Sequence, residues 1–317
     1  MEEKKLYVSS GPHIRGKESV SSLMLSVLLA LLPALLAGVY LFGLRALWVV
    51  LVSVGSCELF EWGWCALTHR QNTLRDLSAA VTGLLLGLSL SPTVPLWLPP
   101  VGAFFAIVVV KQLYGGLGKN FLNPALAGRC FLFAWAPLMS SWAAPRCADA
   151  VSAATPLAVM KTLSLPPESL LSSFLGFKGG CIGEVSAAAL LLGAAFLLLR
   201  GVIRLRIPLS YLLTVAVLTF LFPRGNERIL WMSHQLLSGG LLLGAFFMAT
   251  DYVTSPTTAR GQLLYGVFCG VLTVLIRYFG SYPEGVSFSI LIMNLLVWTL
   301  DRLHMRRVFG HGKEART

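Results

Sequence analysis

The chain has 317 residues, of which 56% are hydrophobic and 12% are charged, and its formal net charge is +11. One soluble domain cannot bury that share of apolar side chains and still present a polar surface, so the composition excludes an ordinary soluble enzyme and predicts an integral membrane protein. The basic residues are dispersed between apolar runs, without a dense patch or interleaved aromatic residues. This dispersion argues against a nucleic-acid-binding protein.

About ten apolar runs follow one another along the chain. Each is predicted to be helical because lipid leaves no backbone polar group without an internal partner. A spanning helix needs roughly 20 residues, so several runs are marginal and should be tilted, broken or enclosed by neighbours. In chain order the runs cover residues 23–42, 47–66, 77–90, 96–110, 125–139, 185–199, 209–222, 236–248, 263–279 and 286–300. The predicted fold is therefore an all-α integral membrane protein with about ten transmembrane helices.

The polar segments between the runs predict the orientation of the chain. Residues 1–20 form a polar N-terminal segment, residues 21–305 the membrane domain and residues 306–317 a tail. With a cytoplasmic N-terminus, most of the 25 Lys and Arg residues fall on the inner side, as the positive-inside rule requires. We therefore expect a multi-pass protein of the cell (inner) membrane with both termini in the cytoplasm. The long loop of residues 140–184 should then face outward.

A short motif occurs twice. Gly83-Leu-Leu-Leu-Gly87 recurs as Gly240-Leu-Leu-Leu-Gly244, in two unusually short runs that are each followed by a polar segment. Paired short, glycine-interrupted spans are typical of transporter folds with an internal repeat and a site near the midplane of the membrane. Leucine-rich helices also repeat by chance. If the repeat holds, spans one to five and spans six to ten form two halves.

Several ionisable side chains fall inside or beside the apolar runs. Such groups cost about 2.5–3.5 kcal/mol each at membrane depth, so they call for pairing, hydration or a function. The residues predicted to form an ion path are Glu58, Asp76, Glu184 and Asp251. For those near the ends of spans, the alternative is snorkelling or compensation by a helix dipole.

A glycine-rich segment, residues 115–118, precedes two amide side chains, Asn120 and Asn123, between the fourth and fifth runs. Two amides three residues apart can bind one ring that presents alternating hydrogen-bond donors and acceptors. Alternatively, Asn123 caps the helix that Pro124 begins. Both interpretations can hold at once.

The outer loop contains a turn of small polar residues that ends in Thr155-Pro156. Ser152 and Ala154 leave the Thr155 hydroxyl without bulky neighbours, and Pro156 disfavours helical geometry at Thr155. Thr155 is therefore predicted to be exposed and open to covalent modification, with Asp149 placed to help position a metal-bound nucleotide donor. On the residues alone, an ordinary Ser/Thr-rich turn is the simpler interpretation.

The six cysteines include no C-x-x-C pair and have no grouped histidine. This spacing predicts no zinc or iron–sulfur site.

The sequence Asp149-x-x-Ser152-Ala153-Ala154-Thr155 resembles the D-x-x-S-G-A-T pattern at which a flavin transferase links the phosphate of FMN to threonine, with Ala153 where the pattern has glycine. With the segments at residues 11–15, 76–83, 115–126, 179–186 and 249–257, it resembles RnfD, the D-type subunit of the Rnf-type ion-translocating ferredoxin:NAD oxidoreductases. NqrB, the corresponding subunit of the sodium-translocating NADH:quinone reductases, is similar but has a longer N-terminal region, so the short leader here favours the Rnf-type member.

The resemblance implies two cofactors. One is FMN esterified to Thr155, with Asp149, Ser152 and Ala154 in the attachment sequence, and the other is a non-covalent riboflavin near Asn120 and Asn123. It implies an electron-transfer subunit with no catalytic site of its own. Its partners would be the other subunits of a membrane complex, including a second flavin-bearing subunit, and the complex would move Na+ or H+. The alternatives are the NqrB-like part of a sodium-translocating NADH:quinone reductase and a non-redox secondary transporter or channel.

Residues 251–257 also read D-x-x-T-x-x-T. Pro256 replaces the alanine of the attachment pattern, and this segment is predicted on the cytoplasmic side. It is therefore expected to line a cavity or cap a broken helix, and not to carry a flavin.

Overall fold

The computed structural model describes residues 19–143, 145, 155–225 and 227–304, the side chains of residues 303 and 304 excepted. Its regular secondary structure is entirely helical over these residues. The helices are α1 (Val20–Phe42), α2 (Leu44–Leu67), α3 (Ser78–Leu88), α4 (Leu98–Gln112), α5 (Pro124–Met139), α6 (Pro156–Lys161), α7 (Leu170–Leu175), α8 (Ala187–Leu199), α9 (Arg206–Leu221), α10 (Arg228–Leu237), α11 (Leu241–Met248), α12 (Ala259–Phe279) and α13 (Val286–His304).

Two of these helices, α1 and α12, are long and apolar enough to cross a membrane. The bent pair of α10 and α11 makes a third if it counts as one span, whereas the apolar helices α3, α4, α5, α8 and α9 are shorter. The all-helical fold predicted from the sequence is thus confirmed. The predicted number of about ten spans is not confirmed.

The apolar run at residues 236–248 is not one continuous helix. The chain breaks between α10 and α11, and the two axes differ by 60°. Gly239 lies in the break with a φ of +69°, a backbone conformation that side chains with a β-carbon rarely adopt. The glycine pair at residues 239–240 therefore lets the chain turn within the bundle, as the prediction of broken short helices requires.

The bundle has two ends, which contacts between distant segments define. At the end where α1 begins, called the proximal end here, the Asn123 amide donates to the carbonyl of Met248 at 3.2 Å. At the opposite, distal end, the backbone N–H of Ile182 donates to the carbonyl of Leu90 at 3.0 Å. Arg45 also donates to the Pro92 carbonyl there, at 3.1 Å. The proximal end thus contains the α4–α5 and α11–α12 connections, and the distal end contains the segments that follow α3 and precede α8.

Glycines allow the central helices to approach closely. A β-carbon at Gly83 of α3 would lie 2.6 Å from the Cα of Val54 in α2, and one at Gly270 of α12 would lie 2.7 Å from the Cβ of Thr214 in α9. Such small-residue contacts are typical of helix pairs in membranes, where van der Waals packing replaces the hydrophobic effect.

The two Gly-Leu-Leu-Leu-Gly motifs coincide with two fully buried helices, α3 and α11. Every residue of α3 is buried, and so is every residue of α11. The two copies therefore share a buried environment in the centre of the bundle. Duplication of the chain into two five-helix halves stays a prediction.

Large apolar side chains cover the exterior of the long helices. Tyr40 of α1 is 72% exposed, Trp48 of α2 is 59% exposed and Trp298 of α13 is 69% exposed. Such a surface suits contact with lipid or with neighbouring subunits.

The loop of residues 140–184 contains two short helices, α6 and α7, that the apolar pattern did not predict. Leu157 and Met160 of α6 pack against Trp231 of α10. The Lys161 ammonium donates to the carbonyls of Gly280 and Ser281, both at 2.6 Å. These contacts dock α6, and Thr155 directly before it, at the distal end.

Candidate functional site

A pocket with about 810 Å³ of empty space, part of it open to solvent, lies at the proximal end, between α1, α3, α8, α11 and the α4–α5 connection. Most of its lining is apolar, which is typical of sites for organic cofactors. Its polar side chains are those of Ser78, Thr82, Lys111, Asn120, Asn123, Thr250, Asp251 and Tyr252. Three residues singled out in the sequence, Asn120, Asn123 and Asp251, thus line one pocket.

The two asparagines of this proximal pocket are used differently. The Asn123 carboxamide oxygen accepts from the backbone N–H groups of Ala125 and Leu126, at 3.1 and 3.3 Å, so this residue caps α5 as predicted. The Asn120 amide donates to the carbonyl of Leu122 at 3.0 Å, while its Oδ1 is buried without a hydrogen-bond partner. Asn120 therefore retains an acceptor for a ligand, whereas the Asn123 side chain is occupied.

The backbone of the α4–α5 connection depends on its glycines. Gly115, Gly116 and Gly118 have φ angles of +111°, +93° and +89°. Residues with a β-carbon rarely adopt such angles. The glycine-rich segment thus folds the chain tightly enough to bring Asn120 to the edge of the pocket.

Two segments beside the proximal pocket are π-helical. Residues Phe105–Gln112 form the end of α4, and Gly244–Met248 form the end of α11. In π-helical turns the hydrogen bonds join residues five apart, and such turns are frequent at functional sites. Lys111 from the first segment, and Phe246 and Phe247 from the second, line the pocket.

A buried ion pair, which the sequence did not reveal, lies beside the proximal pocket. The Lys111 ammonium is 2.6 Å from Oε2 of Glu61 and 2.7 Å from the Ser78 hydroxyl, and both charged side chains are almost fully buried. The Thr73 hydroxyl donates to the other oxygen of Glu61 at 2.5 Å. The pair connects α2, α3 and α4. Its only sequence signal is an acid inside one apolar run and a base directly after another, and nothing in the spacing joins them.

The segment after α11 lines the pocket, as predicted for residues 251–257. The Asp251 carboxylate accepts from the Thr254 hydroxyl at 2.9 Å and faces the pocket. Further along, the Asp301 carboxylate of α13 accepts from the backbone N–H groups of Thr257 and Thr258, at 3.1 and 3.2 Å. The segment is thus fastened to α13 at one end and leaves Asp251 at the pocket.

Thr155 is not exposed, contrary to the prediction. Its side chain is 7% exposed, and its hydroxyl oxygen accepts from the backbone N–H of Ala158 at 3.3 Å. Pro156 starts α6, so the residue before it becomes the N-cap and turns its hydroxyl toward the helix. The prediction of non-helical geometry at Thr155 is correct, since its ψ is 147° in the structure. The sequence did not reveal the helix that follows.

The remaining predicted residues do not converge on one site. Asp149, Ser152 and Ala154 lie outside the described residues. Glu58 lies half-buried in α2, and Asp76 ends a short 3₁₀ helix, Leu74–Asp76, before α3.

Glu184 is buried at the distal end, away from the proximal pocket. Its Oε1 accepts from the backbone N–H of Cys181 at 3.0 Å, while Ser186 caps α8. Glu184 therefore does not serve as the simple N-terminal partner of that helix. A second pocket, of about 530 Å³, lies beside it and is lined by Arg129, Cys181 and Glu284 among others. This is the distal pocket.

A sequence profile described as the NQR2, RnfD, RnfE family matches residues 7–310 of this chain. The chain belongs to this family. The family membership inferred from the motifs is thereby confirmed.

Relatives within the family match along almost their whole lengths. The D-type subunit of the Na+-translocating ferredoxin:NAD+ oxidoreductase complex of Acetobacterium woodii is 48% identical, over 99% of this chain and 98% of its own. The proton-translocating counterpart from Clostridium ljungdahlii is 39% identical, over 96% of each chain. The D-type subunit of the ion-translocating oxidoreductase complex of Escherichia coli is 36% identical, over 96% of this chain and 99% of its own. The chain is therefore similar to subunits named for either ion.

Proposed function

We propose that this protein is the RnfD-type subunit of an ion-translocating ferredoxin:NAD+ oxidoreductase complex and relays electrons through two flavins. One is riboflavin in the proximal pocket, and the other is FMN esterified to Thr155 at the distal end. The family and the names of its relatives support membership of such a complex. A bound flavin supplies the ability to pass electrons singly between carriers, and the chain supplies position and electrostatics.

The observation that carries the proposal is the unpartnered Oδ1 of Asn120 in a mostly apolar pocket. A buried amide oxygen without a hydrogen bond costs about 1–3 kcal/mol, so it favours a ligand that donates to it. The isoalloxazine ring of riboflavin has an N–H that can donate and large apolar faces that suit the lining. Asn123 would then fix the start of α5 at the edge of the site. Its carboxamide oxygen is occupied by the cap and would not contact the ring.

The geometry at Thr155 is compatible with an ester. An esterified hydroxyl loses its proton but keeps acceptor lone pairs. The contact in which Thr155 accepts from Ala158 can therefore persist after attachment. Because Thr155 is buried against α6, attachment would precede docking of that helix on Trp231.

In this proposal the proximal end faces the cytoplasm and the distal end faces outward. FMN would then meet a second flavin-bearing subunit on the outer side. Na+ or H+ movement would involve Glu58, Asp76, Glu184 and Asp251. Of these, Asp251 lines the proximal pocket and Glu184 lies near the distal one, which supports roles at the two ends of a path.

The test removes each flavin separately by substitution and analyses the purified complex, produced in a host that has the flavin transferase. After denaturation, Thr155→Ala should lose the flavin that stays attached to the polypeptide and keep the released riboflavin. Asn120→Ala should do the reverse. Intact-mass analysis and chromatography of the released flavin measure the two fractions.

Thr162→Ala is the matched control, because Thr162 is an exposed threonine at the other end of α6. It should retain both flavins. A colourless, unmodified chain in the assembled complex would refute the flavin relay and favour a non-redox transporter. Quinone reduction in place of NAD+ reduction would assign the chain to the quinone-reductase branch.

A further inference from the structure

Three potential ligand atoms meet in a buried cluster beside the distal pocket. The Cys181 sulfur and one carboxylate oxygen each from Glu184 and Glu284 lie within 4.8 Å of one another. Arg129 donates from the same nitrogen to the Cys181 sulfur, at 3.4 Å, and to the Glu284 carboxylate. These four residues are called the distal cluster.

The two other cations nearby are engaged elsewhere. The Lys178 ammonium donates to the Leu237 carbonyl at 2.5 Å. Arg277 donates to the carbonyls of Gln235 and Ser238, at 2.6 and 3.0 Å. Both cations thus satisfy carbonyls at the C-terminal end of α10, where the helix dipole favours positive charge. Within the distal cluster itself, two carboxylates face the single guanidinium of Arg129.

One carboxylate oxygen in the cluster accepts no hydrogen bond. Glu184 is 5% exposed, and its Oε2 is buried with no hydrogen-bond partner. Glu184 and Glu284 nevertheless each place a carboxylate oxygen within 4.8 Å of the other. Two ionised carboxylates have only acceptors and repel each other at this distance, so the geometry favours a proton shared between them.

A proton fits this site better than a metal ion. The positively charged Arg129 already occupies one side of the cluster, and it would repel a metal cation. With both glutamates ionised, the two carboxylates and Arg129 alone carry one net negative charge. Lys178 and Arg277 add positive charge from outside the cluster, so the site accommodates a single proton more readily than a metal ion.

We propose that Glu184 and Glu284 bind one exchangeable proton, shared between their carboxylates, which reaches the distal cluster through the distal pocket. Ala136, Met139 and Trp142 line that pocket, and Arg129, Cys181 and Glu284 lie on its wall. The proposal does not depend on either flavin. It adds Glu284 and Arg129 to the ion path and assigns its distal ligand as a proton.

The surroundings of Glu184 and Glu284 support the sharing of one proton. Burial raises the pKa of Glu184 to about 8, and the nearby charge of Glu284 acts in the same direction. Burial alone would raise the pKa of Glu284 too, but the Arg129 guanidinium beside it holds that pKa below its usual range. The pair should therefore keep its proton below about pH 8 and release it above.

The other titratable groups around the pair are Cys130, Glu168, Lys178, Cys181, His234 and Arg277. Burial lowers the pKa of Lys178 to about 8 as well, so a titration must separate an acid from an amine. The carbonyl stretch of a protonated carboxylic acid in the infrared spectrum makes that separation.

The experiment is a pH titration of the purified complex followed by infrared difference spectroscopy. The unsubstituted protein should show a buried carboxylic-acid band at neutral pH that disappears as the pH rises through about 8. Glu184→Gln should abolish the band. Glu284→Gln should shift the loss of the band to lower pH, because Glu184 then faces Arg129 without a competing acid and its pKa falls. Glu227→Gln, on an exposed glutamate, is the matched control and should leave the band intact.

Absence of the band from the unsubstituted protein throughout the titration would overturn the proposal without reference to any variant. So would a band that Glu284→Gln leaves unchanged, since the proton would not then be shared. Loss of the band when Na+ replaces K+ at constant ionic strength would identify a sodium site instead, and would also overturn it. Ala136→Trp, which fills the distal pocket, should slow exchange of the band in heavy water, and unchanged exchange would contradict the access route.

Discussion

At the scale of single residues, the contacts of Lys111 and Glu61 have the clearest energetic consequence. Two buried charges stabilise a protein only when they are well paired and hydrogen-bonded, because each loses its hydration on burial. Ser78 and Thr73 complete the set by hydrogen-bonding to Lys111 and Glu61 respectively. The pair therefore fixes the relative positions of three helices at the proximal pocket, and removing one member leaves the other charge buried alone.

Lys111→Met should destabilise the chain by about 3–5 kcal/mol, because Glu61 then remains buried without its cation. Lys111→Met combined with Glu61→Gln should recover most of that loss. Denaturant unfolding of the purified protein measures the difference. Lys119→Met, on an exposed lysine of the α4–α5 connection, is the control and should have little effect. Equal stability of the Lys111→Met and Lys119→Met variants would show that the ion pair contributes nothing.

At the scale of helices, the contact between α2 and α3 depends on glycines more than on side-chain shape. A β-carbon at Gly83 would lie 2.6 Å from the Cα of Val54, and one at Gly87 would lie 3.0 Å from the Cα of Val50. The neighbouring atoms belong to the backbone, so no flexible side chain can move aside. α3 can be fully buried although it is short because it lies directly against the α2 backbone.

Gly83→Ala should therefore destabilise the protein by about 1–3 kcal/mol through overpacking. Gly55→Ala, in α2, is the matched control because nothing lies within 4 Å of its β-carbon position. The control should be neutral or slightly stabilising, since alanine favours helix more than glycine does. Thermal unfolding compares the two variants. A Gly83→Ala protein as stable as Gly55→Ala would show that α3 has room to move away from α2.

At the scale of the whole molecule, the two proposed flavin sites lie at opposite ends of the bundle. α5 begins at the proximal pocket with Asn123 and passes Arg129 on its way to the distal end. From Asn123 to Arg129 the helix rises about 9 Å, at 1.5 Å per residue. The proximal and distal pockets therefore both contact α5, the first at its start and the second from Arg129 onward. The buried residues 126–128 of this helix separate them.

Cysteine labelling can test whether these two ends lie on opposite sides of the membrane. In a cysteine-depleted background, Thr162→Cys at the distal end should react with a membrane-impermeant maleimide added to intact cells. Lys119→Cys at the proximal end should react only in inverted vesicles. Both positions are exposed in the chain, so each serves as the accessibility control for the other. Reaction of both positions from one side would contradict the proposed orientation.

Much of the candidate site was predictable because its signals are local. Pro156 predicted non-helical geometry at Thr155, and Asn123-Pro124 predicted the start of a helix. The structure places both Thr155 and Asn123 as N-caps. For Asn123 the cap itself was predicted. For Thr155 the burial was missed, because it comes from docking of α6 on Trp231, and that residue is distant in sequence.

The sequence by itself determined that this is an apolar helical chain and which family it belongs to. Both follow from composition and from short motifs, in which the informative residues are neighbours. Only the tertiary structure decided which polar groups meet: Lys111 with Glu61, Asp301 with the residues before α12, and Glu184 with Glu284 and Arg129. A buried charge needs a partner wherever the fold can supply one. The partners here are tens to more than a hundred residues apart, so only the packing of the helices selects them.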